Sequence, residues 1–454
     1  MTQEFKDQGG AATSDPSRFQ RWLTSRIMST LFTKERVARR RLRAEKRRQK
    51  ERRPHCVEYF HQVDDGYSQL AASVLKQIAD RYDVELVCHL VRGPAGKNVA
   101  EPELLTRLSR YEASLIAPGY GLRFPDHPDD LAAEQIQLAT RVLAAQSNQR
   151  FIDIAESVGS ALWADDVAAL QQLAQEHGQC GRAEADAMVD KGTSRRKELK
   201  HYSGAMFFYE GEWYWGIDRL HHLEARLREL GLDKESGASL VAPRPEINLN
   251  GAHNRSHLTL EIFPSLRSPY TATVFDRAVA LAHEAGVALN VRPVLPMVMR
   301  GVPATREKGM YIFMDAAREA LTHGVDYGKF YDPIGEPARR CYSLYPWAKE
   351  QGKDVELISS FLRHAFALGV NTNKEAGLRR VVEGAGLNWQ EAQRHLGSDG
   401  WQAILEANRQ QMYASGLWGV PSFRLLNADK EELLAVWGQD RLWLVAREIA
   451  KSAA

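Results

Sequence analysis

Cysteine is scarce in this chain. Four thiols occur in 454 residues, at Cys56, Cys88, Cys180 and Cys341, and nowhere do two stand in a CxxC pattern. A dense disulfide framework is thereby excluded, and so is a dithiol that cycles through a CxxC pair. The spacing suits reduced thiols and a cytoplasmic protein. Long apolar runs are missing too, so no membrane-spanning helix is expected. No signal-type apolar segment opens the chain, and Glu4, Asp7 and Asp15 weigh against a transit peptide. There is no glycine-rich phosphate loop. His221 with His222, and His253 with His257, lack the cysteine or carboxylate neighbours that would complete a metal set, so no metal is expected.

What is present describes a globular protein of two to three domains. Hydrophobic residues at 44% and charged residues at 26% lie in the ordinary range for such chains. The net charge of +2 conceals an asymmetry: residues 34–53 hold twelve Lys/Arg against three Glu, so the remainder is acidic. Residues 1–17 are polar and aperiodic, which predicts disorder. A helix is predicted from about residue 18 to 53. It begins with a weakly apolar stretch (Phe19, Trp22, Leu23, Ile27, Met28, Leu31, Phe32) and ends in the basic block. Two partners suit such a block, nucleic acid and an anionic membrane surface. The plainer reading is a solvated helix whose apolar part packs on the acidic remainder.

The stretch that organises the rest is Ser268-Pro269-Tyr270. Before it, Leu258–Phe263 alternates apolar and polar side chains, as a half-buried strand does. After it, Val274, Phe275, Ala278, Val279 and Ala282 recur at helical spacing as far as Gly286, and a second strand follows at Val287–Val291. Ser268 is placed to cap that helix and Pro269 to open its first turn. An echo stands earlier in the chain. Glu58, Phe60 and Tyr67 share the spacing of Glu261, Phe263 and Tyr270, and Trp215-Gly-Ile-Asp-Arg-Leu220 matches Trp437-Gly-Gln-Asp-Arg-Leu442. Two matches in the same order predict a duplicated domain. Each half then reads βαβ, a helical insertion, and ββα, in an α/β fold. The expected divisions are 1–54 (tail and basic helix), 55–232 (first domain), 233–255 (linker) and 256–454 (second domain).

This order of elements resembles the thioredoxin fold with a helical insertion, the DsbA-like branch. Within it the second half is similar to the kappa-class glutathione transferases and 2-hydroxychromene-2-carboxylate isomerases. Four pieces carry the likeness: Glu261–Tyr270, Lys308-Gly-Met-Tyr-Ile312, Gly416–Phe423 and Trp437–Leu442. The resemblance implies that glutathione is the cofactor and that Ser268 hydrogen-bonds its sulfur and favours the thiolate, helped by the helix N-terminus. It implies a cis proline at Pro421, with Val420 pairing the glutathione backbone. Gln439 and Asp440 would hold the γ-glutamyl end, and Lys308 a carboxylate. In the first half Asp65 stands at the Ser268 position and Ala205 falls where Pro421 stands, so that half reads as a degenerate copy.

The implied activity is isomerisation or transfer on a hydrophobic, aromatic electrophile. Two alternatives remain open at this point, a thiol–disulfide oxidoreductase and a non-catalytic scaffold. The duplication further predicts a monomer whose two halves act as a pseudo-dimer.

Overall fold

The computed structural model describes residues 15–125, 130–302 and 304–452. Of residues 1–17, expected to be disordered, residues 1–14 lie outside them. The chain forms two compact units. Among the described residues, one is Arg39–Glu246, and the other joins residues 15–38 to those from Ile247 onward.

Two helices, α1 (Arg18–Leu31) and α2 (Lys34–Lys50), precede the first strand where one continuous helix was expected. Ser17 caps α1 by accepting from the Gln20 amide, and the Gln20 side chain closes the reciprocal bond of a capping box.

The Arg39–Glu246 unit begins with β1 (Cys56–His61), α3 (Gly66–Ala72), α4 (Leu75–Arg81) and β2 (Glu85–Leu90). The helical segment between β1 and β2 is thus broken at Ser73–Val74. The insertion is helical: α5 (Pro102–Ile116), α6 (Ala133–Ala144), α7 (Asn148–Trp163), α8 (Val167–His177) and α9 (Arg182–Glu198). The hairpin β3 (Met206–Tyr209) and β4 (Glu212–Trp215) and the closing helix α10 (Gly216–Glu229) complete it. The sheet order is β2-β1-β3-β4, with β1 and β2 parallel and the other pairs antiparallel. Tyr59, Phe60, Phe207 and Tyr214 are fully buried in it.

The second unit follows the same order. It contains β5 (Thr259–Phe263), α11 (Pro269–Ala285) and β6 (Ala288–Val291). The insertion holds α12 (Arg306–Thr322), α13 (Glu336–Glu350), α14 (Asp354–Phe366), α15 (Glu375–Gly384), α16 (Trp389–His395) and α17 (Trp401–Ala414). Strands β7 (Ser422–Leu426) and β8 (Glu432–Trp437) follow, then a 3-10 turn at Gln439–Arg441 and α18 (Leu442–Lys451). Its sheet runs β6-β5-β7-β8, again with one parallel and two antiparallel pairs.

Helix α11 shows why the sequence folds this way. Val274, Phe275, Ala278, Leu281 and Ala282 recur every three or four residues and are buried. Each large apolar side chain so buried contributes about 1.5–3 kcal/mol. Gly286 ends the helix in the left-handed region, at a φ of 69°, which glycine adopts without a Cβ penalty. The helix is thereby fixed against the sheet with its N-terminus at the end of β5.

α1 departs from expectation. Four of its apolar residues, Phe19, Trp22, Leu23 and Ile27, are exposed and Met28 and Leu31 half-buried; Arg21 and Ser25 are the buried ones, at 2% and 3% exposure. Among the described residues, no helix is long and apolar enough to cross a membrane.

Candidate functional site

Ser268 is the N-cap of α11. Its hydroxyl accepts from the Thr271 amide at 3.1 Å and points its own proton at the Val420 carbonyl, 3.4 Å away. The second contact is long for O–H···O, so that proton is weakly held. The oxygen sits where the first amides of a seventeen-residue helix converge, a place that favours negative charge.

The four separated motif pieces meet at the loop before β7. Ser268 reaches it through Val420, and the Val420–Pro421 bond is cis. The ammonium of Lys308, on α12, lies 6.0 Å from the centre of the Trp418 ring. Trp418 and Trp437 lie 4.8 Å apart between ring centres, and a Cβ on Gly419 would strike the Trp437 indole. The Gly438 amide donates to the Pro421 carbonyl at 3.0 Å, tying the last motif to the loop. Lys308 is half-buried, and desolvation pushes its ammonium down from 10.5 to about 8.

Gln439 and Asp440 sit side by side in the 3-10 turn, ahead of the last helix, which begins at Leu442. Gln439 is buried, and its amide nitrogen donates to the fully buried Glu319 at 2.5 Å. Its Oε1 is buried with no hydrogen-bond partner, which leaves one acceptor available. The Asp440 carboxylate keeps 15% exposure and lies 3.5 Å from the Arg441 guanidinium.

Other residues that position this site were not singled out from the sequence. Arg267, next to Ser268, makes a two-pronged pair with Asp332 at 2.8 and 3.0 Å. Burial pushes the Asp332 carboxyl up, but the charge and hydrogen bonds of Arg267 outweigh it and hold the group below its ordinary range. Asp332 is held in turn by α1: the Ser25 hydroxyl accepts from its amide at 3.0 Å, and Arg21 donates to its carbonyl and to that of Ile334, both at 2.6 Å. Asp315, also buried, accepts from the Tyr270 hydroxyl at 2.8 Å.

The first unit repeats the frame with different chemistry. Asp65 caps α3 as Ser268 caps α11, accepting from the Ser68 amide at 2.9 Å and the Ser68 hydroxyl at 2.8 Å. Burial pushes its carboxyl up from 3.8 to about 6, against those hydrogen bonds. Ala205 precedes β3 as Pro421 precedes β7, and its carbonyl accepts from Gly216 at 2.6 Å. Tyr67 donates to Glu112 at 2.7 Å, and that pair is separated by 45 residues, as Tyr270 and Asp315 are. Extending the sequence echo by this interval finds both acids. Asp218, matched to Asp440, lies 3.1 Å from the Tyr120 hydroxyl. The thiols of this unit on β1 and β2 are not poised for chemistry: burial pushes Cys56 up to about 11 and raises Cys88 as well.

A sheet with one parallel and two antiparallel pairs, a helix N-terminus at the end of its central strand, and a cis proline opposite define a thioredoxin-like domain. Residues 259–450 match the family profile of the DSBA-like thioredoxin domain, and the second half of the chain is a domain of that kind. Among solved structures, the chain is similar to a probable DsbA oxidoreductase from Streptomyces coelicolor, at 20% identity and a TM-score of 0.34, over 44% of this chain and 92% of that one. It is also similar to a 2-hydroxychromene-2-carboxylate isomerase, at 16% identity and a TM-score of 0.35, over 41% and 92%. A third is the cytosolic disulfide reductase DsbM from Pseudomonas aeruginosa, at 16% identity and a TM-score of 0.33, over 41% and 95%. No curated protein matches the chain.

Proposed function

We propose that the chain is a glutathione-dependent isomerase or transferase acting on a hydrophobic, aromatic electrophile. One observation carries the reading: Ser268 at the α11 N-terminus, Lys308 and the Trp437 motif, far apart in sequence, all meet the loop Trp418–Pro421.

The residues present fit the tripeptide. Its thiol and its two carboxylates need donors, and its α-ammonium needs acceptors. Ser268 supplies a weakly held hydroxyl proton beside the helix N-terminus. Lys308 supplies a cation. The partnerless Oε1 of Gln439 and the Asp440 carboxylate supply acceptors. Glutathione would bring the nucleophilic sulfur. The chain's part is to hold that sulfur's negative charge with the Ser268 hydroxyl and the α11 amides, and to align the backbone at Val420. Trp418 and Trp437 give an apolar wall beside it.

The alternative, a thiol–disulfide oxidoreductase, would have to work without a cysteine pair at this helix N-terminus, where Ser268 and Thr271 stand. Cys341 is the one thiol in residues 259–450, and it is buried with its pKa raised. The matching sheet orders, paired caps and equal Tyr–acid intervals support reading the two halves as copies, divided near 55–232 and 256–454. On that reading the first copy lost its serine to Asp65, whose charge would raise a thiolate's energy.

The test is calorimetric titration with glutathione, alongside Ser268→Ala and Asp440→Ala. Binding of one molecule per chain, weakened by Asp440→Ala, with thiolate absorbance lost in Ser268→Ala, supports the reading. No heat at millimolar glutathione sinks it.

A further inference from the structure

An amphipathic helix on a soluble domain ordinarily buries its apolar stripe and wets its polar one. The first turns of α1 do the reverse. Arg21, Ser25 and Ser29 stand four residues apart on one face and bind the segment 330–334 through its backbone. Ser29 accepts from the Phe330 amide at 2.8 Å and donates to its carbonyl at 3.0 Å, and Ser25 and Arg21 hold Asp332 and Ile334. The other face carries Phe19, Trp22, Leu23 and Ile27, exposed by 67%, 46%, 39% and 45%. Phe19 and Trp22 lie 6.0 Å apart between ring centres, and Arg26 lies 5.7 Å from the Trp22 ring centre. The polar anchoring fixes the helix with its apolar row outward.

The next helix adds charge of one sign. In α2, Arg41 and Arg48 are engaged with Glu212 and Glu45. Arg36, Arg39, Arg43, Lys46, Arg47 and Lys50 recur at three- and four-residue steps on a different face and are exposed. Among the described residues, none of these six forms an ion pair with a carboxylate.

From these two rows we infer that residues 18–50 dock the protein on an anionic lipid surface. The cationic row supplies the attraction to headgroups, and the apolar row enters the boundary between headgroups and acyl chains. A nucleic acid would satisfy the charge but would give the aliphatic Leu23 and Ile27 nothing to bury against. A second copy of this chain would bring an equal cationic row to the interface and repel. An amphipathic surface that is negative outside and apolar beneath satisfies both rows.

The test is co-sedimentation of the full chain with phosphatidylcholine vesicles, with and without about 30% phosphatidylserine. Binding to the mixed vesicles alone, weakened about tenfold or more in Arg43→Glu/Lys46→Glu, supports the inference. A comparable loss in Trp22→Ser/Ile27→Ser shows that the apolar row enters the lipid. Both variants change exposed residues and should melt with the parent. If either melts early, the native chain decides, since its binding must fall steeply as salt rises past the Debye regime. Three results overturn the inference: equal partition onto neutral vesicles, no partition onto either kind, or binding to duplex DNA without binding to lipid. A concentration-dependent dimer abolished by Phe19→Ser, with no lipid binding, assigns the apolar row to a second copy instead.

Discussion

The carboxyl of Asp65 offers a sharp test of how the two caps differ. Asn in its place keeps an oxygen for the Ser68 amide and ranks with Asp as an N-cap, so the change removes charge and little else. Burial raises this carboxyl from 3.8 to about 6 in the folded chain. Between those values the folded state holds a proton that the unfolded state has released. Stability from this group is therefore fully present below about pH 4 and is lost as pH rises through 6. The displacement corresponds to about 3 kcal/mol at neutral pH, and the side chain's partial contact with water reduces that to about 1–2 kcal/mol. Asp65→Asn should therefore melt higher than the parent at pH 7.5, by about 2–4 °C per kcal/mol in a unit of this size. The gain should shrink steadily towards pH 4. Scanning calorimetry across that range reads it directly. A gain that stays constant with pH, or a loss at pH 7.5, would refute the assignment of a costly buried charge at this cap.

Further outcomes follow from the second unit. Lys308→Met should stabilise the protein by about 1–2 kcal/mol at pH 7. The unfolded chain keeps this proton to about 10.5 and the folded one only to about 8, so the advantage should vanish in melts at pH 10.5 and above. Arg267→Ala should cost about 3 kcal/mol in urea unfolding, because Asp332 loses its counter-charge, and adding Asp332→Asn should recover part of that. A loss below about 1 kcal/mol would show the pair to be dispensable. Ser268→Ala should cost about 1 kcal/mol through the lost cap at Thr271, while Ser268→Thr should not.

Local patterns were enough to read the sheets. Leu258–Phe263 alternates although both of its faces are covered, since the buried Glu261 is paired with Arg292 and Arg424, and the Ser-Pro entry and Gly286 exit of α11 are local caps that need no partner to be recognised. The motif pieces around Ser268, Pro421 and Trp437 were legible because each owes its residue type to a backbone requirement. What stayed hidden depends on partners far along the chain. Asp332 has no local signal that it pairs with Arg267, and the two are 65 residues apart. The apolar stripe of α1 was visible, but the side it turns to water is set by Arg21 reaching two carbonyls more than 300 residues away. Gln439, in the 3-10 turn, likewise donates to Glu319, 120 residues away.

The grip of α1 on segment 330–334 also sets an order of events during synthesis. Arg21 leaves the ribosome 311 residues before the carbonyl it binds. At about 5–20 residues per second, that is a wait of about 15–60 s. Throughout that interval the whole Arg39–Glu246 unit is made and free to fold, while α1 has no seat. The domain bearing Ser268 is therefore completed last, and from both ends of the described chain. A nascent chain stalled short of residue 330 should expose the α1 region to protease, and one released beyond 334 should protect it.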